Sequence, residues 1–128
     1  VYVLLDTHTF LWWLDENQKL SPRARAVVTD PANKVLVSAA SAWEIATKAR
    51  LGKLPGAEEI AADVQGRIAS QGFVSLDIDL RHAQRAGFLP GAHRDPFDRM
   101  LVAQAQIEDV PLVSRDPAFR RFEVRVIW

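Results

Sequence analysis

No cysteine occurs in the 128 residues, so disulfides, thiolate metal sites and cysteine nucleophiles are excluded. Long apolar runs are missing too: none approaches the roughly 20 residues of a membrane span. A basic start leading to an apolar stretch and a small-residue cleavage site is also absent. A cytoplasmic protein without a membrane partner is therefore expected. The three histidines, His8, His82 and His93, stand at no zinc-like spacing. Repeats, low-complexity tracts and linkers are lacking, and residues 1–128 are expected to form one domain large enough for its own core. Net charge is lacking as well, because 16 Lys and Arg balance 16 Asp and Glu.

What is present is a regular alternation of short apolar strands and helical stretches. Val1 to Leu5 is continuously apolar, as in a strand buried on both faces. Thr7 to Leu14 follows as an almost wholly apolar helix in which Phe10, Trp13 and Leu14 make a core face. Ser21-Pro22 opens a helix, Val35 to Val37 reads as a strand, and Ser41 to Leu51 as a helix stopped by Gly52. Glu58 and Glu59 begin a helix with Ile60, Val64 and Ile68 on one face, ended by Gly72. Strands are expected at Phe73–Leu76, Leu112–Ser114 and Val124–Ile127, with helices from Leu80 and over Pro96–Ile107. This order predicts an α/β fold with a mainly parallel sheet and right-handed crossovers.

Acids recur at the ends of these elements. Asp6 follows the first strand, Glu44 lies beyond the second, Asp98 stands in Asp95-Pro-Phe-Asp98, and Asp116 follows Leu112-Val113. Strands of a parallel sheet share one carboxyl edge, where ligands bind. Four clustered carboxylates repel unless a cation or protons relieve them, and an oxygen-only set suits a hard cation such as Mg²⁺ or Mn²⁺. The pattern thus points to a metal-dependent hydrolase. Each acid also has a simpler reading as a helix cap: Ser41 and Glu44 fit a capping box, while Asp6, Asp95 and Asp116 precede helix starts. The two readings are compatible, because a carboxylate oxygen that accepts an amide hydrogen bond leaves its twin free.

Setting Asp6, Glu44, Asp95, Asp98 and Asp116 aside leaves 11 acids against 16 bases, a surplus of five positive charges for the remaining surface. A basic rim around an acid pocket permits a polyanionic substrate. Arg94, Arg99 and Arg115 flank the acids in sequence and are candidate phosphate ligands. Tryptophans can stack on bases, but Trp13 and Trp43 fall on positions that read as core.

In chain order, Leu4-Leu-Asp-Thr-His8, Ser38-Ala-Ala-Ser-Ala-Trp-Glu-Ile45, Asp95-Pro-Phe-Asp-Arg-Met-Leu-Val-Ala-Gln-Ala105 and Leu112-Val-Ser-Arg-Asp116 resemble the PIN-domain ribonucleases, in particular the VapC-type toxins of bacterial toxin–antitoxin pairs. The resemblance runs from first strand to last and implies a single PIN domain over 1–128 with a three-layer α/β/α fold. It implies a Mg²⁺- or Mn²⁺-dependent endoribonuclease whose four acids are Asp6, Glu44, Asp98 and Asp116. Asp6 and Asp98 would be the main metal ligands and Asp95 a cap or outer group. Ser114 stands where the family often has threonine. Thr7 and Ser114 are candidates to hydrogen-bond the acids or the attacking water. His93, near the Asp95–Asp98 turn, is a candidate phosphate contact or acid, beside the simpler reading of a satisfied surface histidine. A small antitoxin that occludes the pocket and a toxin homodimer are the implied partners. Trp12 is the expected interface residue, because Phe10 to Leu14 offers more apolar surface than one core stripe needs.

Two other classes fit the same acids. A phosphatase with Asp6 as covalent nucleophile would usually want a second acid two residues later, where this chain has His8. A phosphoacceptor or metal-binding module would use the cluster without turnover.

Overall fold

The computed structural model describes residues 1–128. Five strands, β1 (Tyr2–Leu5), β2 (Lys34–Ser38), β3 (Val74–Leu76), β4 (Leu112–Val113) and β5 (Val126–Ile127), form one sheet in the order β3-β2-β1-β4-β5. Every pairing is parallel, with Leu4 beside Leu36 on one side and Leu112 on the other. Seven helices connect them: α1 (Thr7–Leu14), α2 (Pro22–Thr29), α3 (Ala39–Arg50), α4 (Glu58–Ala62), α5 (Val64–Ser70), α6 (Leu80–Phe88) and α7 (Pro96–Glu108). A 3-10 turn, Pro117–Arg121, lies between the last two strands.

The two-residue period of a strand explains the layering. Val3, Leu5, Val35 and Val37 pack on one face with Phe10, Ala24, Ile45, Val64 and Ile68 from the helices between β1 and β3. Leu4, Leu36 and Leu112 point the other way, onto Leu101, Val102 and Ala105 of α7 and onto Phe119. Both faces are covered, which is why β1 is apolar throughout. The result is the three-layer α/β/α arrangement, and each fully buried Leu or Phe contributes roughly 2–3 kcal/mol.

Several boundaries differ from the pattern in the sequence. The single helix expected from Glu58 is broken at Asp63, whose extended backbone (φ −151°, ψ 67°) ends α4 while its side chain accepts from the Gly66 amide and starts α5. Val64 and Ile68 are buried as expected. β5 is shorter than Val124–Ile127, and β4 ends at Val113, leaving Ser114 free to turn its side chain into the sheet edge. α3 begins at Ala39, two residues before the expected start, because Ser38 closes β2 and caps the helix in one step: its hydroxyl accepts from the Ala40 amide at 2.9 Å.

Candidate active site

In this strand order the chain leaves β1 in one direction and later returns on its other side, so β1 and β4 flank the topological switch point. Asp6 stands at the end of β1 and Ser114 at the end of β4. The Ser114 hydroxyl donates to Asp6 Oδ2 at 2.5 Å, and the Thr9 amide donates to Oδ1 at 2.8 Å. Thr9 is itself anchored by its hydroxyl on the Val113 carbonyl at 3.0 Å. Burial raises the pKa of Asp6, against the opposing hydrogen bonds from Ser114 and Thr9. Ser114 also accepts from the Asp116 amide at 3.0 Å, so one hydroxyl positions two of the acids.

Asp6, Glu44, Asp95, Asp98 and Asp116 line one cavity of about 330 Å³, together with Lys48. Three of them cap helices: Asp6 caps α1, Asp95 accepts from the amides of Phe97 and Asp98 at the start of α7, and Asp116 accepts from Ala118. Asp98, in the first turn of α7, shares a 2.9 Å hydrogen bond between its Oδ2 and His93 Nε2. Its carboxyl is pushed up to about 6, first by burial and then by repulsion from Asp95 and Glu44, with the His93 hydrogen bond opposing. A larger groove of about 850 Å³, lined by Arg81, Arg85, Phe88 and Arg121, holds a single carboxylate, Glu123, and no acid cluster.

Some expectations need correction. Glu44 is not the third residue of a capping box, since α3 is capped by Ser38; it lies in the second turn, buried, with its Oε2 2.5 Å from Lys48 Nζ. The Thr7 hydroxyl pairs with Ser41 Oγ at 2.9 Å rather than with an acid. Arg99 is not free for phosphate: its guanidinium donates to the carbonyls of Ala86, Leu89 and His93 and ties down the segment before α7. Arg94 and Arg115 are exposed, and only Arg115 lines the cavity. Trp43 is 58% exposed and meets Phe97 edge-on at 4.8 Å, so it is not core. The apolar run in α1 needs no such correction: Phe10 is buried, and Leu11 to Leu14 are half-buried and keep part of their surface exposed.

Lys48 and Thr9 belong to the site although the pattern of acids does not single them out, and both carry a local signal. Lys48 stands four residues after Glu44, the spacing of a helical ion pair. Thr9 stands three residues after Asp6, where a capped amide belongs.

The donor set suits a hard divalent cation. Glu44, Asp95, Asp98 and Asp116 each engage one carboxylate oxygen with protein and leave the other without a protein partner. In this conformation no three carboxyl or imidazole groups converge closely enough to hold one ion. In this arrangement Lys48 engages Glu44 and His93 engages Asp98.

Fold and pocket together define an α/β protein with a carboxylate-lined crevice at the switch point of a parallel sheet. The chain belongs to the PIN domain family, whose pattern matches residues 3–124. It is 50% identical over 58 residues to Ribonuclease VapC16 of Mycobacterium tuberculosis; that stretch covers 45% of this chain and 41% of that protein. Among solved structures, VapBC2 from Rickettsia felis, bound to a DNA fragment from its promoter, superposes with a TM-score of 0.69 at 14% identity, covering 98% of this chain and 97% of the other. FitAcB from Neisseria gonorrhoeae gives 0.60 at 18% identity, over 97% and 95%. At such identities the superpositions establish a shared fold.

Proposed function

We propose that this chain is the endoribonuclease toxin of a VapC-type toxin–antitoxin pair, with residues 1–128 as its single PIN domain. The observation that carries the reading is the meeting of Asp6, Glu44, Asp98 and Asp116 around one cavity in a chain of this family. Identity to Ribonuclease VapC16 supports RNA as the substrate. Fold neighbours drawn from VapBC and FitAB complexes support a small antitoxin partner. Asp6 and Asp98 would be the main ligands of a Mg²⁺ or Mn²⁺ ion, with Glu44 and Asp116 completing the set. The ion would neutralise pocket charge and supply Lewis acidity toward a phosphodiester oxygen.

The chain's own residues do the rest. Ser114 and Thr9 fix Asp6, and each of its oxygens keeps a lone pair beyond those bonds. His93 orients Asp98. Arg115, exposed at the rim, would hold an RNA phosphate, and Lys48 offers a second cation inside. Incubation of purified protein with total RNA and Mg²⁺ or Mn²⁺, followed by end-mapping, tests the reading. Cuts that need metal and vanish in Asp6→Asn are expected. Intact RNA after long incubation would sink it, and a phosphate-labelled protein would favour aspartyl-phosphate chemistry instead.

A further inference from the structure

Trp12 lies on α1 at the wall of the acid cavity, and its surroundings are not those of a core residue alone. One part of it packs against the apolar cluster, and Trp128 meets it at a centroid distance of 5.9 Å, tilted 58°. The rest is flanked by polar cations: Lys19 Nζ lies 5.7 Å from the ring centroid and Arg115 Cζ 5.9 Å. His8 adds an aromatic ring at 5.8 Å. Lys19, Arg115 and His8 are all exposed, and none enters an ion pair. Burial of apolar area explains the Trp128 contact. Cation–π attraction holds the two cations at the indole, and because neither has a carboxylate partner both remain available to an anion beside the acid cavity.

An unpaired nucleotide accounts for the whole arrangement. Its base has a π face for the indole, and its flanking phosphates match Arg115 and Lys19, whose flexible side chains can leave the ring for the backbone. A duplex does not fit, because its bases are already stacked inside the helix. An apolar protein segment would use the ring but leave the two cations unanswered. Resting on the ribonuclease reading above, we propose that Trp12, with Arg115 and Lys19, is a stacking subsite for one unpaired RNA base next to the phosphodiester held at the acid pocket.

The test uses an Asp6→Asn background in Mg²⁺, so that RNA is bound and not cut. A single-stranded oligonucleotide carrying 4-thiouridine is irradiated on the protein, and the linked residue is mapped; the linkage is expected at Trp12. In the same background, Trp12→Ala should weaken binding of a labelled single-stranded oligonucleotide about tenfold by anisotropy, within the range of one lost stack. Trp12→Phe should stay within about threefold of the parent. The weak binding of a perfect duplex should not change in either. Crosslinks confined to the groove around Phe88 would overturn the proposal. So would a folded Trp12→Ala that binds single strands as its parent does; loss of self-association in sedimentation by that variant would instead make the ring a protein-contact residue. Mapping does not depend on the variant's folding. Cleavage of total RNA by the unaltered protein without a Trp12 crosslink removes the subsite alone, whereas neither cleavage nor RNA binding removes the ribonuclease reading with it.

Discussion

Replacing Asp98 with asparagine should separate what the carboxylate does for the reaction from what it does to the fold. Asp98 is held with 19% of its side chain exposed, and its pKa stands at about 6 against an ordinary 3.8. A folded-state pKa raised in this way means that the folded protein retains a proton which the unfolded chain has already lost. Stability from this group is therefore fully present below about pH 4, falls as pH rises toward 6, and stays lowered above that. The shift of about two units corresponds to about 3 kcal/mol at roughly 1.4 kcal/mol per unit, and partial exposure to solvent reduces this to about 1–2 kcal/mol. Asparagine carries no such penalty and can still accept from His93. In metal-free buffer, Asp98→Asn should match the parent near pH 4 and exceed it by about 1–2 kcal/mol at pH 7.5, read by urea unfolding at both pH values. The same variant should lose most metal-dependent cleavage. Asp95→Asn, which keeps the cap, should lose less. A variant no more stable than its parent at pH 7.5, or one that cleaves at the parent's rate, would refute the assignment of Asp98 as a strained ligand. A greater loss of cleavage in Asp95→Asn would mean the two acids exchange roles.

Mg²⁺ at about 100 times its Kd should stabilise the folded state by about 2.7 kcal/mol, seen as a higher Tm in calorimetry; the gain should vanish in the Asp6→Asn, Asp98→Asn double variant, and its survival there would put the ion elsewhere. Arg99→Met should cost about 3 kcal/mol through loss of its hydrogen bonds to the carbonyls of Ala86, Leu89 and His93, measured by denaturation. It should also slow cleavage by loosening His93, whereas a direct phosphate role would leave stability unchanged. Expression of the chain alone should arrest growth, and co-expression of the product of its neighbouring gene should relieve it; harmless expression of folded, active protein would remove the toxin role and leave the nuclease.

The local content of the sequence was sufficient for most of the fold. A strand buried on both faces must be apolar throughout, so β1 was legible within one residue, and the α/β alternation made a parallel sheet the natural outcome. Caps are equally local: Asp95 before Pro96 and Asp116 before Pro117 start their helices where a short carboxylate and a proline dictate. The break at Asp63 was not legible, because Ile60, Val64 and Ile68 keep one continuous helical spacing across it. The exposure of Trp43 is hidden from the sequence for a related reason: a large apolar residue near the apolar stripe of α3 reads as core whether or not a neighbour covers it.

The sequence by itself determined which residues would arrive at the carboxyl edge, since every strand of a parallel sheet ends on the same side and Asp6 and Asp116 follow their strands closely. Only the tertiary structure decided what those residues do to one another. Asp6 and Ser114 are 108 positions apart and share a 2.5 Å hydrogen bond because β1 and β4 are neighbours at the switch point. Glu44 reaches the cavity from within α3 and is answered by Lys48, Asp98 is answered by His93, and Arg99 turns away to hold backbone carbonyls. Periodicity and capping are properties of a few consecutive residues, and charge compensation depends on distance in space, which the chain order does not carry.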